Sequence, residues 1–480
     1  MIYDVAIIGA GVIGGMLARE LSKYQLSVCL LEKENDVACG ASRANSGIIH
    51  GGFDPHPGTM KAKLNTAGVP LLYQAAKELH VSHIQNGSMV CAFGEAEHAG
   101  LEALYQRGLT NGIEQMQLLS GEEARSLEPQ LSEAVTMVLH VPTAGIICPY
   151  ELTIAAVGNA MDNGVELKRN FAVKSIEKSE VFTLTSAAGA CVQARWVVNC
   201  AGGYSDKVAA MAGDDFFRII PRAGEYLLLD KTEGSRVKHT IFQLPSKAGK
   251  GILVSPTVDG NLLTGPTASH VETPDSRDVT PAGVEQVQNL ARRSVPSVDF
   301  RQVITSFTGV RASEGSDDFI LCRSEKVPGL VHAAGIDSPG LTCCVSIAQY
   351  VVNLLAEGGL VLKEKENWNG KRENPHAFRT MTDEEKNEMI QNDPAYGKIV
   401  CRCETVSEGE IRAAIRRNPQ ARDVDGVKRR TRSGMGRCQG GFCGPYIMKL
   451  LSEELGIPME MVTKSGAGSE MVTERIGETK

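Results

Sequence analysis

Asp4-Val-Ala-Ile-Ile8-Gly9-Ala-Gly11-Val-Ile-Gly14 opens the chain, and its reading decides the fold. Asp4–Ile8 is a short apolar run closed by a glycine, the length of a buried parallel strand. Val12 to Tyr24 carries apolar or small residues at helical spacing. Ser27-Val-Cys-Leu-Leu-Glu32 is a second buried strand. Between the first strand and the helix, each glycine has a task. Gly9 permits the tight turn, Gly11 lets a pyrophosphate approach the backbone, and Gly14 lets the helix pack close to the sheet. The helix N-terminus favours phosphate charge, and Glu32, about 20 residues on, is placed to accept hydrogen bonds from ribose hydroxyls. This is a dinucleotide fingerprint in its proper strand–turn–helix setting, shared by nicotinamide and flavin cofactors alike.

The rest of the composition bounds the possibilities. The chain has 480 residues, enough for two to four domains, and a net charge of −7 that argues against a nucleic-acid binder. Hydrophobic residues make up 42% and charged residues 22%, as in a soluble globular protein. Fifty glycines exceed the usual ~7% and fit many tight turns and close backbone approaches to ligands. The N-terminus carries Asp4 and no basic leader, and the longest apolar run, Val5 to Ala18, is too short to span a bilayer. Thirteen cysteines without an export signal imply a reducing compartment, so a cytoplasmic location is expected, with thiols serving as ligands or buried hydrophobes.

Downstream, residues 70 to 140 read as mainly helices and loops. A helix is expected over Pro149–Asn163, then strands at Ala172–Ile176, Val181–Thr185, Cys191–Asn199, Ile219–Asp230 and Gly251–Thr264. A helix at Pro281–Arg293, a strand at Leu330–Ala334 and a helix from near Thr342 follow. The pattern predicts an α/β and α+β architecture: a Rossmann-like cofactor domain in pieces (1–70, 145–215, 320–362) with a β-rich substrate domain (71–144, 216–319) inserted. Residues 363–395, polar and punctuated by Asn-Pro and Asp-Pro, read as a linker, and 396–480 as a small helical module.

Ala41-Ser-Arg-Ala-Asn-Ser-Gly-Ile-Ile-His-Gly-Gly52 follows the second strand. Together with the fingerprint it resembles the D-amino-acid-oxidase-type flavoproteins. In these a Ser/Arg/Asn loop and a Gly-Gly pair line the FAD pyrophosphate and flavin. The resemblance implies FAD, with Ser42, Arg43, Asn45, Ser46 and Gly47 in that loop. Trp196-Val-Val-Asn-Cys-Ala201-Gly202 resembles the strand that packs on the dinucleotide. Gly335-Ile-Asp-Ser-Pro-Gly340-Leu341-Thr342 resembles the turn at the flavin pyrimidine edge, where the positive end of the following helix would stabilise an anionic reduced ring.

Near the C-terminus, Cys401-Arg-Cys403 and Cys438-Gln-Gly-Gly-Phe-Cys443 supply four thiols, the number a [2Fe–2S] cluster requires. Tetrahedral zinc also accepts four sulfurs, although only the second pair has zinc-like spacing. Gly434, Gly436, Gly440 and Gly441 let the backbone wrap the ligands. Ser407 with Glu410 predicts a capping box, and Pro445 suits a first helical turn. From Cys401 to Pro445 ten Lys+Arg face five Asp+Glu, and Lys428-Arg-Arg-Thr-Arg432 is the centre of the excess. It reads as compensation for an anionic cluster and a docking face for a redox partner, with a nucleic-acid patch and a solvated basic loop as alternatives. The stretch resembles the ferredoxin-like domain appended to several flavin dehydrogenases, and especially the end of the large subunit of the anaerobic glycerol-3-phosphate dehydrogenases.

An alcohol-oxidising flavoprotein needs a base for the hydroxyl proton and a cation for the substrate's anionic end. His50, beside Gly51-Gly52, is the candidate base, with His56 behind it. Arg311, in Ser306-Phe-Thr-Gly-Val-Arg311, resembles the substrate-gripping arginine of the glycerol-3-phosphate dehydrogenases. Lys61, Lys63 and Arg222 are further candidate cations, each with a solvated surface residue as the preferred reading. Two departures from that family stand out. Phe53-Asp54-Pro55 occupies the place of an Arg-Tyr pair, and Gly340 that of a lysine. His50-Gly-Gly and the Pro57–Leu64 segment instead resemble the L-2-hydroxyglutarate oxidases. The expected function is therefore an FAD-dependent dehydrogenase oxidising a secondary alcohol on a small anion and passing electrons through the cluster to a partner. A 2-hydroxy acid, an amine or imino acid, and a non-catalytic electron-transfer subunit are the alternatives.

Overall fold

A computed structural model of the chain describes residues 1–245, 251–375 and 377–472. Its first layer is an eight-stranded sheet whose centre is the opening motif: Ile2–Ile8 pairs in parallel with Val28–Leu31 on one side and with Cys191–Asn199 on the other. The long strand Cys191–Asn199 serves two neighbours along its outer edge. Its first half pairs antiparallel with Phe182–Ser186, and its second half takes Leu330–Ala334 in parallel. Four helices, Val12–Leu21, Met60–Glu78, Pro149–Asp162 and Gly340–Glu357, contribute buried side chains to the core shared with this sheet. The last has the length and hydropathy of a membrane span, but it is mostly buried inside the molecule.

The second layer is a nine-stranded sheet, and all its strands fall within residues 88–141 and 220–313. Its spine is the antiparallel pair Ile220–Leu229 and Val303–Ser313. The stretch expected to be helices and loops contributes three of its strands: Ser88–Ala92, Gln117–Ser120 and Met137–Val141. The correction has a simple cause. In Ser88–Ala92, Met89 and Cys91 face a core shared with the helix Pro281–Ser294, while Val90 and Ala92 face one shared with the helix His98–Thr110. A strand buried on both faces has no polar alternation to read. The expected strand Gly251–Thr264 is two strands, Leu253–Pro256 and Leu262–Gly265, paired antiparallel.

Residues 363–395 are not a free linker. Tyr24 and Glu364 bridge the segment to the first domain, Trp368 Nε1 donates to Ser22 Oγ (3.0 Å), and the buried Arg372 pairs with Asp162 (3.1 Å). Phe378 is buried, its N–H on Glu410, and Thr382 caps the helix Asp383–Asn392 through a capping box. The segment is a strap stitched down at both ends. Beyond it, the helices Glu408–Arg416, Val424–Thr431 and Gly444–Leu455 enclose a small core of their own. Ser407 and Glu410 form the capping box, and Pro445 lies in the first turn of Gly444–Leu455. Residues 473–480 of this expected module lie outside the described residues.

Candidate active site

A cavity of about 1530 Å³ runs between the two sheets, from Glu32 to the Ile220–Leu229/Val303–Ser313 pair. At the first end the glycines do what the motif requires. Gly9 has φ +105°, and a Cβ there would lie 2.5 Å from the Cys200 carbonyl oxygen; a Cβ on Gly14 would lie 1.9 Å from the Gly9 carbonyl oxygen. Glu32 is buried and accepts from the Ala10 and Glu34 N–H groups (2.8 and 3.0 Å). Burial holds its carboxyl above the usual range against those two hydrogen bonds. Ser42 Oγ accepts from the Val12 N–H (2.9 Å), tying the Ser/Arg/Asn loop to the helix start.

The lining gathers Gly9, Gly11, Glu32, Ser42, Arg43, Asn45, Ser46, His50, Ala201, Gly202, Arg311, Gly340 and Leu341. Gly14, Gly47, Gly335 and Thr342, expected to bind cofactor, stand behind that surface. Thr342 is fully buried, and its hydroxyl accepts from the His50 N–H (2.9 Å), so it holds the histidine loop. Asn65 donates to the His50 carbonyl (2.9 Å), Ser338 Oγ lies 3.2 Å from His50 Nε2, and the ring stacks on Phe242 with centroids 6.0 Å apart. His50 is thereby fixed beside the N-terminus of the helix Gly340–Glu357, whose first residues line the cavity. His56 stands exposed at the cavity edge and Lys63 is exposed away from it. Lys61 is buried and paired with Asp337 and Asp317 (2.9 and 3.2 Å), not a solvated cation.

At the far end Arg311 donates weakly to the Thr267 carbonyl (3.4 and 3.5 Å) and has no carboxylate partner among the described residues. Two features here escape a reading of sequence. Tyr226 and Phe307 are cross-strand partners whose rings stack at 4.8 Å, walling the cavity. Ser338, the partner of His50, sits inside the flavin-edge turn the resemblance had singled out, but its role needs two distant loops to meet.

In the C-terminal module the four thiols are strung together: Cys401 Sγ lies 3.7 Å from Cys403 Sγ, Cys401 also contacts Cys443, and Cys403 contacts Cys438. Cys401 and Cys443 are buried, Cys403 and Cys438 exposed. Among the described residues no three His, Cys, Asp or Glu side chains form a compact single-ion site. The donor set is four sulfurs, as a two-iron cluster requires. Hydrogen bonding from Cys443 draws the Cys401 thiol below its usual range, with the Gly434 and Glu404 N–H groups assisting against burial. The Phe442 N–H does the same for Cys438, with help from Gly440 and Gly441. A Cβ on Gly436 would lie 2.4 Å from Cys403 Sγ, so the wrapping loop tolerates no side chain there.

The basic run beside these cysteines corrects an expectation. Arg429 and Arg430 both pair with Asp36 (2.5 and 2.7 Å), in the loop that follows Glu32. Arg432, at φ +69°, pairs with Asp259 (2.5 Å) and Glu404 (2.9 Å) and donates to Asn261 Oδ1 and Tyr150 Oη. These arginines face inward, and their charge is neutralised by carboxylates of all three parts of the molecule. They form a latch between domains rather than a docking face.

A glycine-cradled dinucleotide cavity joined to a four-thiol module defines a flavin-dependent oxidoreductase that carries a [2Fe–2S] centre. The family comparison agrees: residues 4–354 match the FAD dependent oxidoreductase family, to which this chain belongs, and residues 399–453 match the BFD-like [2Fe-2S] binding domain. Over 471 residues the chain is 45% identical to a glycerol 3-phosphate dehydrogenase of Caloramator mitchellensis, covering 98% of both. The L-alpha-glycerophosphate oxidase of Mycoplasma pneumoniae, solved with FAD bound, superposes with a TM-score of 0.74 at 33% identity, covering 78% of this chain and 98% of that one. The human mitochondrial L-2-hydroxyglutarate dehydrogenase is 31% identical over 55% of this chain and 61% of its own length.

Proposed function

We propose that the protein oxidises the secondary hydroxyl of glycerol 3-phosphate to a ketone and delivers the electrons through its cluster to a redox partner. The supporting observation is the full-length similarity to a glycerol 3-phosphate dehydrogenase, which spans the flavin domain, the strap and the cluster module alike. Bound FAD supplies hydride acceptance, and the cluster one-electron transfer. The chain's own residues do the rest. Arg311 holds the phosphate with a guanidinium that no carboxylate already occupies among the described residues. His50 takes up the hydroxyl proton, its ring fixed by Ser338 and Phe242 and its backbone by Thr342 and Asn65. The helix Gly340–Glu357 places its positive end on the cavity lining, where it favours negative charge on the reduced cofactor. The Tyr226–Phe307 wall keeps water from the apolar side.

Anaerobic mixing of the FAD- and cluster-loaded protein with glycerol 3-phosphate tests this directly. The expected result is bleaching of the flavin bands followed by the electron paramagnetic resonance signal of a reduced cluster. A second reading, oxidation of a 2-hydroxy dicarboxylate, draws on the partial similarity to L-2-hydroxyglutarate dehydrogenases. Bleaching by L-2-hydroxyglutarate and not by glycerol 3-phosphate would establish it in place of the first.

A further inference from the structure

Arg222 and Arg311 are directly opposite each other in the antiparallel pair Ile220–Leu229 and Val303–Ser313, followed along the same ladder by Gly224 opposite Gly309 and Tyr226 opposite Phe307. Residues in register leave the same face of a sheet. Both arginines belong to the cavity lining. Like charges placed opposite each other weaken a ladder, and elsewhere in this protein close arginines are neutralised by carboxylates, as Arg429 and Arg430 are by Asp36. Here no carboxylate pairs with either arginine among the described residues. Arg222 Nε is buried and has no acceptor, an expensive state for a charged donor. The backbone also makes room for the second guanidinium: a Cβ on Gly224 would stand 2.8 Å from Arg311 Nη2, so Arg311 lies over that glycine, two residues along the strand from Arg222.

We propose that Arg222 is a second anion-binding and specificity-determining residue, forming with Arg311 a guanidinium pair that receives the dianionic phosphate of a phosphate monoester. A dianion with three terminal oxygens can neutralise both cations and accept from the terminal nitrogens of both guanidiniums, whereas a single carboxylate leaves one positive charge uncompensated. The inference rests on the proposed function for the identity of the alcohol, but not for the binding of phosphate.

The test uses the loaded holoenzyme with Arg222→Gln, Arg222→Lys and, as a control away from the cavity, Arg218→Gln. Inorganic phosphate is titrated anaerobically, with the shift of the flavin visible spectrum as the readout. Steady-state kinetics are then measured with glycerol 3-phosphate and with uncharged glycerol. Arg222→Gln is expected to weaken phosphate binding and raise KM for glycerol 3-phosphate on the order of ten- to a hundredfold, as losing a charged hydrogen-bonding partner does. Its kcat, and turnover of glycerol, stay within a few-fold of the parent. Arg222→Lys should recover part of the loss by restoring charge without the fork, and Arg218→Gln should change nothing. Unaltered phosphate affinity in Arg222→Gln would overturn the proposal, as would equal losses with glycerol and glycerol 3-phosphate, which mark a purely structural role. Should the parent bind phosphate through Arg222 yet resist bleaching by glycerol 3-phosphate, the assigned alcohol fails and the anion pair stands.

Discussion

Two groups of arginines divide this molecule. Arg222 and Arg311 line the cavity with no carboxylate beside them among the described residues; Arg429, Arg430 and Arg432 are buried between domains, paired with Asp36, Asp259 and Glu404. In the sequence the second group looks the more functional, being a dense basic run beside four cysteines. In three dimensions it is the structural one. Positive charge alone does not mark a binding site; a part-buried cation that lines a cavity and lacks an internal counter-charge can take one from a ligand, whereas a buried paired one cannot. The latch also has a consequence for the cofactors. Asp36 lies in the loop between Glu32 and the Ser42–Gly47 segment, so the cluster module props up the wall of the dinucleotide cavity.

The comparison breaks if the two groups respond alike to mutation. The largest effect is expected for Asp36→Ala, which strands Arg429 and Arg430 in the interior. Removing one partner of a buried ion pair costs about 3–5 kcal/mol. The denaturant midpoint should fall accordingly, and FAD should be released together with disruption of the cluster module, read from flavin fluorescence and the cluster's visible absorption. An unchanged midpoint would deny the latch its role.

Arg311→Ala should do the reverse. Loss of a desolvated partner for the substrate anion is worth about 2–5 kcal/mol, a fall of at least thirtyfold in kcat/KM, while the unfolding midpoint stays at or above the parent value. If the unfolding free energy falls by several kcal/mol, Arg311 belongs with the structural arginines.

The smallest effect sharpens the contrast with a titratable group of the scaffold. His332 is fully buried, its Nε2 3.1 Å from Asp214 and its Nδ1 3.3 Å from Asn199 Nδ2. Burial lowers its proton affinity below the ordinary value, against the pull of Asp214. Below about pH 6.5 the unfolded chain therefore binds more protons than the folded one, and stability declines as pH falls through that range, by at most about 1.4 kcal/mol per unit. His332→Gln should flatten this part of the stability–pH curve measured between about pH 5 and 7.5. A curve with the same slope in the variant would show that other groups carry the acid dependence.

Several parts of this architecture are legible because they depend on neighbours in sequence. The Gly9–Gly14 turn, the Ser407–Glu410 capping box and the Pro149 and Pro281 helix starts are local, and each sits at its expected residue. Other parts depend on what covers them. Ser88–Ala92 hides its strand character because both faces are buried, and the polar strap 363–395 hides its order because Trp368 and Arg372 find partners some 200–350 residues away. At the active site, His50 and Arg311 stand out by type and context, whereas Ser338, Phe242 and the opposition of Arg222 to Arg311 exist only once separate segments are brought into register.

What the sequence by itself determined, then, is the chemistry available: a glycine turn for a dinucleotide, four thiols for iron and sulfur, a histidine and arginines for a small anion. Local sterics and ligand spacing are written in adjacent residues. Only the tertiary structure decided which cations remain available for a ligand and which are consumed in holding the domains together. The energy of a buried charge depends on partners that the chain supplies from hundreds of residues away.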